Sequence, residues 1–129
     1  MKVAYENLRF YQEICEIRRK AYKITERFPK GEMRRVSQMR DAIRSAKQNI
    51  QEGYKKETAG EFAHSIKISR GSLEEFKGDF TDCLEDDLIN KEEFSSLIKL
   101  VHSADYLSAR YLIALYKLKR EGKWKSPHR

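Results

Sequence analysis

Few residues in this 129-residue chain could carry chemistry, and their spacing argues against most kinds of it. The three histidines are His64, His102 and His128. None lies four residues from another or within an H-E-x-x-H pattern, so no helix presents a zinc-binding pair. Cys15 and Cys83 match no zinc or redox spacing, and each falls on an apolar stripe, as small core residues do. The densest carboxylate run, Glu85-Asp86-Asp87, lacks the calcium-loop pattern and reads as a solvated turn. Neither a phosphate-cradling Gly-x-x-x-x-Gly-Lys nor a nucleophile-elbow G-x-S-x-G is present. The expectation is a protein that is not an enzyme and holds no cofactor.

What remains is cationic. Lys and Arg number 27 against 20 Asp and Glu, a formal charge of +7. The charge is unevenly spread: residues 1–57 carry +7, 58–90 carry −5, 91–116 balance, and 117–129 carry +5. Arg40, Arg44 and Lys47 stand at i, i+4 and i+7, one ridge of a helix. Arg18, Arg19, Lys20, Lys23 and Arg27 crowd the segment before a Phe-Pro break. Lys117, Lys119, Arg120, Lys123 and Lys125 surround Trp124 near the C-terminus, where an exposed indole could stack on a base or fold back onto the protein. Three readings stand side by side. The cations are a solvated surface that also complements helix dipoles; they neutralise phosphates, each releasing counterions; or they meet the acidic 58–90 segment, the third helix, of another copy. Segregation of sign favours the last two. The candidate nucleic-acid-binding set is Arg18, Arg19, Lys23, Arg40, Arg44, Lys47, Lys119, Arg120, Lys123, Trp124 and Lys125.

The elements that must position these groups are helices. Leu8, Tyr11, Ile14, Ile17, Ala21, Ile24 and Phe28 recur at three and four, predicting a helix over 5–27. Phe28-Pro29-Lys30-Gly31 breaks it. Met33 or Val36, then Met39, Ala42, Ile43, Ala46 and Ile50 predict a second helix over 32–52, with Gly53 as its stop. Thr58 and Glu61 form a capping-box pattern opening a third helix, whose stripe runs Phe62, Ile66, Ser69, Leu73, Phe76, Phe80, Cys83. Asn90 and Glu93 open a fourth, which Gly122 ends. Asn49, beside the second stripe, needs a partner for its amide, such as a helix end or a nearby carbonyl. Gly71 and Gly78 each cost about 1 kcal/mol inside a helix. Seven residues apart, they suggest close helix approach, within the bundle or between subunits. The fold class expected is all-α, an antiparallel up-down-up-down four-helix bundle over 1–121, with a basic flexible tail over 122–129. No apolar run nears the roughly 18 residues of a membrane span. Nor does a secretory leader pattern follow Met1, so a cytoplasmic protein is expected.

Phe28-Pro29-Lys30-Gly31-Glu32, Gln38-Met39-Arg40-Asp41-Ala42, Asn49-Ile50-Gln51-Glu52-Gly53, Glu61-Phe62 and the run Ser69 to Phe76 occur in an order and spacing that carry a resemblance. Over about residues 5–118 the chain resembles the small four-helix-bundle family that includes proteins encoded by intervening sequences within bacterial 23S rRNA genes. Lys47 and Gln51 depart from it, standing where the family has small or apolar residues, and the chain after Leu118 lies outside the pattern. The resemblance implies antiparallel bundles that assemble as ring-shaped homopentamers around a channel. A distantly similar group, the accessory variability determinant of diversity-generating retroelements, consists of basic pentameric barrels that bind nucleic acid and a reverse transcriptase. Neither group has catalytic residues to carry over. The expected function is therefore a non-enzymatic homopentameric accessory protein that binds nucleic acid, with RNA favoured and a reverse transcriptase as a further partner. The alternative is a ring-shaped protein–protein scaffold with no nucleic-acid role. A basic amphipathic protein of the membrane surface is disfavoured, because the core needs each apolar stripe.

Overall fold

The computed structural model describes residues 4–125 of the chain. Four helices account for most of them: α1 (Arg9–Thr25), α2 (Met33–Tyr54), α3 (Ala59–Glu85) and α4 (Lys91–Arg120). Short 3-10 turns, Ala4–Asn7 and Lys30–Glu32, precede α1 and α2, and no strand occurs among the described residues.

Each helix buries the stripe its sequence prescribes. Ile14 and Ile17 from α1, Met39, Ile43 and Ile50 from α2, Phe62, Ile66, Phe76 and Phe80 from α3, and Leu97 and Leu115 from α4 are all fully buried. Removing such a side chain from water is worth about 1.5–3 kcal/mol. Val36 takes the first core position of α2, while Met33 stays 58% exposed. Phe76 stacks on Phe80 and Phe80 on Phe94, with centroids 5.5 and 5.7 Å apart. Around the opposite end, Tyr54, Phe62, Tyr111 and Phe10 form edge-on and tilted pairs.

Contacts between helix ends show the antiparallel order. Gln51, near the end of α2, donates to the hydroxyl of Tyr11 near the start of α1 at 2.8 Å. Arg35, in the first turns of α2, reaches Asp86 beyond the end of α3 at 2.7 Å. Arg27, just past α1, grips both Glu93 oxygens at the start of α4 at 2.5 and 2.6 Å. Each helix packs on its two sequence neighbours around the ring, α1 closing on α4.

The termini follow capping chemistry, with departures from the sequence reading at α1, α3 and α2: α1 starts at Arg9, behind a 3-10 turn, and stops at Thr25, inside the expected 5–27. Asn90 and Glu93 form the full reciprocal box. At α3, Thr58 accepts from the Glu61 N–H at 3.1 Å, but the Glu61 carboxylate takes the Thr58 hydroxyl instead of a backbone N–H. The predicted stop at Gly53 is corrected: α2 runs on to Tyr54, and Gly53 is buried inside it. A Cβ at Gly53 would lie 2.5 Å from the Ser65 Cβ and 3.0 Å from the Phe62 ring. The glycine therefore permits α2 and α3 to approach, and does not end the helix. Ser69 donates to the Ala46 carbonyl at 2.6 Å, and the Ser45 and Ser72 hydroxyls bond at 2.9 Å across the same contact. Gly71 and Gly78, expected at points of close approach, have nothing within 4 Å of where a Cβ would stand, so they serve no close packing among the described residues. Gly122, with φ +67°, does end α4.

Candidate nucleic-acid interface

The basic residues of α1 and α2 meet because the two helices pack through flanks that carry both core and cationic positions. Tyr22, half-buried on α1, is the meeting point. The Arg18 guanidinium lies 4.4 Å from its ring centroid and the Arg40 guanidinium 4.6 Å. Arg40 also donates to the Tyr22 carbonyl and the Thr25 hydroxyl, both at 3.2 Å, and so satisfies the C-terminal turn of α1. The Arg18 Nε is buried with no hydrogen-bond partner among the described residues. These contacts fix the Arg40 flank of α2 as the one facing α1, and helical spacing carries Arg44 and Lys47 along the same flank. Arg44 is exposed and pairs with Asp41 at 3.1 Å. Lys47 is half-buried and has no ion-pair partner among the described residues. Arg19 projects into solvent beside Arg18.

The other predicted site residues lie elsewhere. Lys23 borders a groove between α1 and α4, floored by Ile24 and Leu97. Lys119 and Arg120 are exposed at the end of α4, with the Lys119 Nζ held over the first turn of α3, 3.2 Å from where a Gly60 Cβ would be. Lys123 pairs with Glu121 at 3.2 Å, and Lys125 is exposed. Trp124 is half-buried, its ring 5.9 Å from Phe62 and its indole N–H without a hydrogen-bond partner among the described residues. The C-terminal end of α4 lies beside the N-terminal end of α1, where Tyr111 packs on Phe10. The predicted set thus divides between the α1/α2 flank, the α1/α4 groove and the aromatic end of the bundle. Residues 126–129, the rest of the expected tail and the site of His128, lie outside the described residues.

Two features escaped the sequence reading. The first is a groove of about 620 Å³ between α2 and α3, lined by Gln38, Asp41, Ser45, Ser72, Glu75 and Asp79. Burial, then the neighbouring Asp82 and Glu75 carboxylates, push the Asp79 carboxyl above its ordinary range, against a smaller opposing pull from Arg35. The acidity of α3 was legible, but the contribution of α2 to this groove was not. The second is a pair of apolar residues on the solvent side of α4, Tyr106 and Ile113, 62% and 65% exposed. Their i, i+7 spacing off the core stripe was the available signal.

The titratable interior is conventional. Burial raises the Tyr111 hydroxyl and the Cys83 thiol, and pushes Tyr11 up to about 12. Cys83 is sealed against the Met39 sulfur at 3.5 Å, and Cys15 is half-buried. His64 and His102 are exposed. Asn49 donates its amide to the Ser45 carbonyl and hydroxyl one turn back, at 2.9 and 3.2 Å. No three His, Cys, Asp or Glu side chains among the described residues are grouped to hold a metal ion. No helix among them is long and apolar enough to cross a membrane.

Fold and surface together define a four-helix bundle with cationic and acidic faces on different helix pairs. A family model, that of the 23S rRNA-intervening sequence protein, matches residues 6–108, and the chain belongs to that family. No curated protein matches it.

Proposed function

We propose that the protein is a non-enzymatic, self-assembling binder of nucleic acid, with RNA the favoured ligand, acting in the cytoplasm through the cationic flank of α1 and α2. The observation that carries this reading is the gathering of Arg18, Arg19, Arg40, Arg44 and Lys47 on one helix pair, away from the carboxylates of α3. Arg18 and Arg40 cover the Tyr22 ring, so the flank offers charge and hydrogen-bond donors more than a free stacking surface. Binding is then dominated by phosphate and tolerant of sequence. A homopentamer, as the family resemblance implies, would repeat the flank five times, and avidity would multiply weak contacts. A reverse transcriptase is the further partner this reading implies, the bundle serving as its accessory.

The test leaves the packed residues alone. Arg40 and Arg18 support the α1/α2 contact, so reversal is confined to Arg19→Glu, Arg44→Glu and Lys47→Glu. The triple variant should keep wild-type helicity and lose at least about tenfold in affinity for a structured RNA. Undiminished binding would remove this flank from the site.

A further inference from the structure

The α2/α3 groove and the solvent face of α4 are complementary surfaces of one chain. The groove presents Asp41, Glu75 and Asp79 above the Ser45–Ser72 floor, and of the three only Asp41 has an ion pair among the described residues. A separate cavity of about 560 Å³ lies nearer the start of α3, lined by Asn49, Lys56, His64 and Ile68 among others, with Ile68 42% exposed. The α4 face alternates exposed apolar and cationic groups: Tyr106, Arg110, Ile113 and Lys117, at steps of four, three and four. Neither Arg110 nor Lys117 has an ion pair among the described residues. Two large apolar side chains exposed on one helix face mark a contact surface better than scattered surface residues would.

We infer that the Tyr106–Lys117 face of α4 from one copy seats in the acidic α2/α3 groove of a second copy. This rests on the self-assembly part of the function proposed above. It assigns a surface other than the α1/α2 flank, which it adjoins at the Arg44–Asp41 pair. Arg110 and Lys117 answer the groove carboxylates, while Ile113 and Tyr106 bring the apolar area that charge alone would not supply. The two surfaces differ, so the contact runs head to tail: each copy offers α4 to one neighbour and its groove to the other, as a ring requires. Charge complementarity of this kind fixes register and partner choice.

The test is mass in solution, by light scattering after gel filtration, with helicity checked by circular dichroism. Wild type should run as an oligomer. Arg110→Glu with Lys117→Glu should fall to the 15.3 kDa chain mass, and Glu75→Lys with Asp79→Lys should do the same. Combining all four reversals restores the complementarity with its sign exchanged and should recover the oligomer. If both double variants keep the wild-type mass, this interface is wrong while self-assembly stands. If both dissociate and the fourfold variant remains a monomer, the pairing of these two surfaces is wrong. A wild type that is monomeric at every concentration overturns self-assembly itself, and the inference with it.

Discussion

Substituting Gly53 by alanine tests how closely α2 and α3 approach. A stop glycine at positive φ would itself lose about 1 kcal/mol on becoming alanine, but among the described glycines only Gly122 has a positive φ, so that strain is absent at Gly53. The structure instead places the new Cβ 2.5 Å from the Ser65 Cβ, where carbon atoms prefer about 3.5–4.0 Å. No rotamer change can move a Cβ, so α2 and α3 must separate by about 1 Å. That would stretch the Ser69–Ala46 and Ser45–Ser72 bonds, now at 2.6 and 2.9 Å. Overpacking of this kind costs about 1–3 kcal/mol. The opposing gain in helix propensity is at most about 1 kcal/mol, and less here because Gly53 is one residue from the end of α2. The net expectation is a loss of about 1–2 kcal/mol, or roughly 3–10 °C in Tm for a domain of this size. Gly71→Ala, in mid-helix with nothing within 4 Å, is the internal control and should gain about 0.5–1 kcal/mol. Thermal and urea melts by circular dichroism read both. A Gly53→Ala variant as stable as wild type would refute the close-approach account.

Three further outcomes follow from local geometry. Arg27 and the Asn90 backbone hold Glu93 below its ordinary pKa of 4.5, so its stabilisation is complete above that pH and is lost as pH falls through the lowered folded value. Glu93→Gln should therefore cost about 1 kcal/mol at neutral pH, and the gap to wild type should close below about pH 4.5 in a series of melts. Thiol titration with an aromatic disulfide should modify Cys15 in the folded protein but Cys83 only in denaturant, since Cys83 is fully buried with its thiol pushed up; rapid reaction of both thiols would contradict the packing. Trp124 is the chain's one tryptophan. Packed on Phe62, it should emit to the blue of a solvated indole and resist iodide quenching, whereas free-indole emission would detach it from the bundle end.

The helices were legible because each buries a single stripe whose period survives any choice of neighbours. Asn90 and Glu93 marked the start of α4 to the residue, since a reciprocal box needs only local chemistry. Gly53 was misread because a glycine after an apolar run looks the same whether it ends a helix or admits another one. The deciding signal was nonlocal: Ser65, Ser69 and Ser72, all buried, make a small-residue stripe on α3 facing Ala42, Ala46 and Gly53 of α2. Gly71 and Gly78 lie on the exposed side of α3, well around the helix from that stripe, and the close approach expected at them belongs to the serines. Of the candidate site, charge segregation was readable, but its division among faces was not. Whether Lys23 joins Arg18 or turns toward α4 depends on which flank of α1 meets α2, and the Tyr22 contacts decide that only in three dimensions.

The most direct test of phosphate-dominated binding is a titration of nuclease-treated wild-type protein with a structured RNA at about 50 and about 200 mM salt. The account predicts tight binding at the lower salt and a fall of at least about tenfold at the higher. No binding at the lower salt, or affinity indifferent to salt, would contradict it.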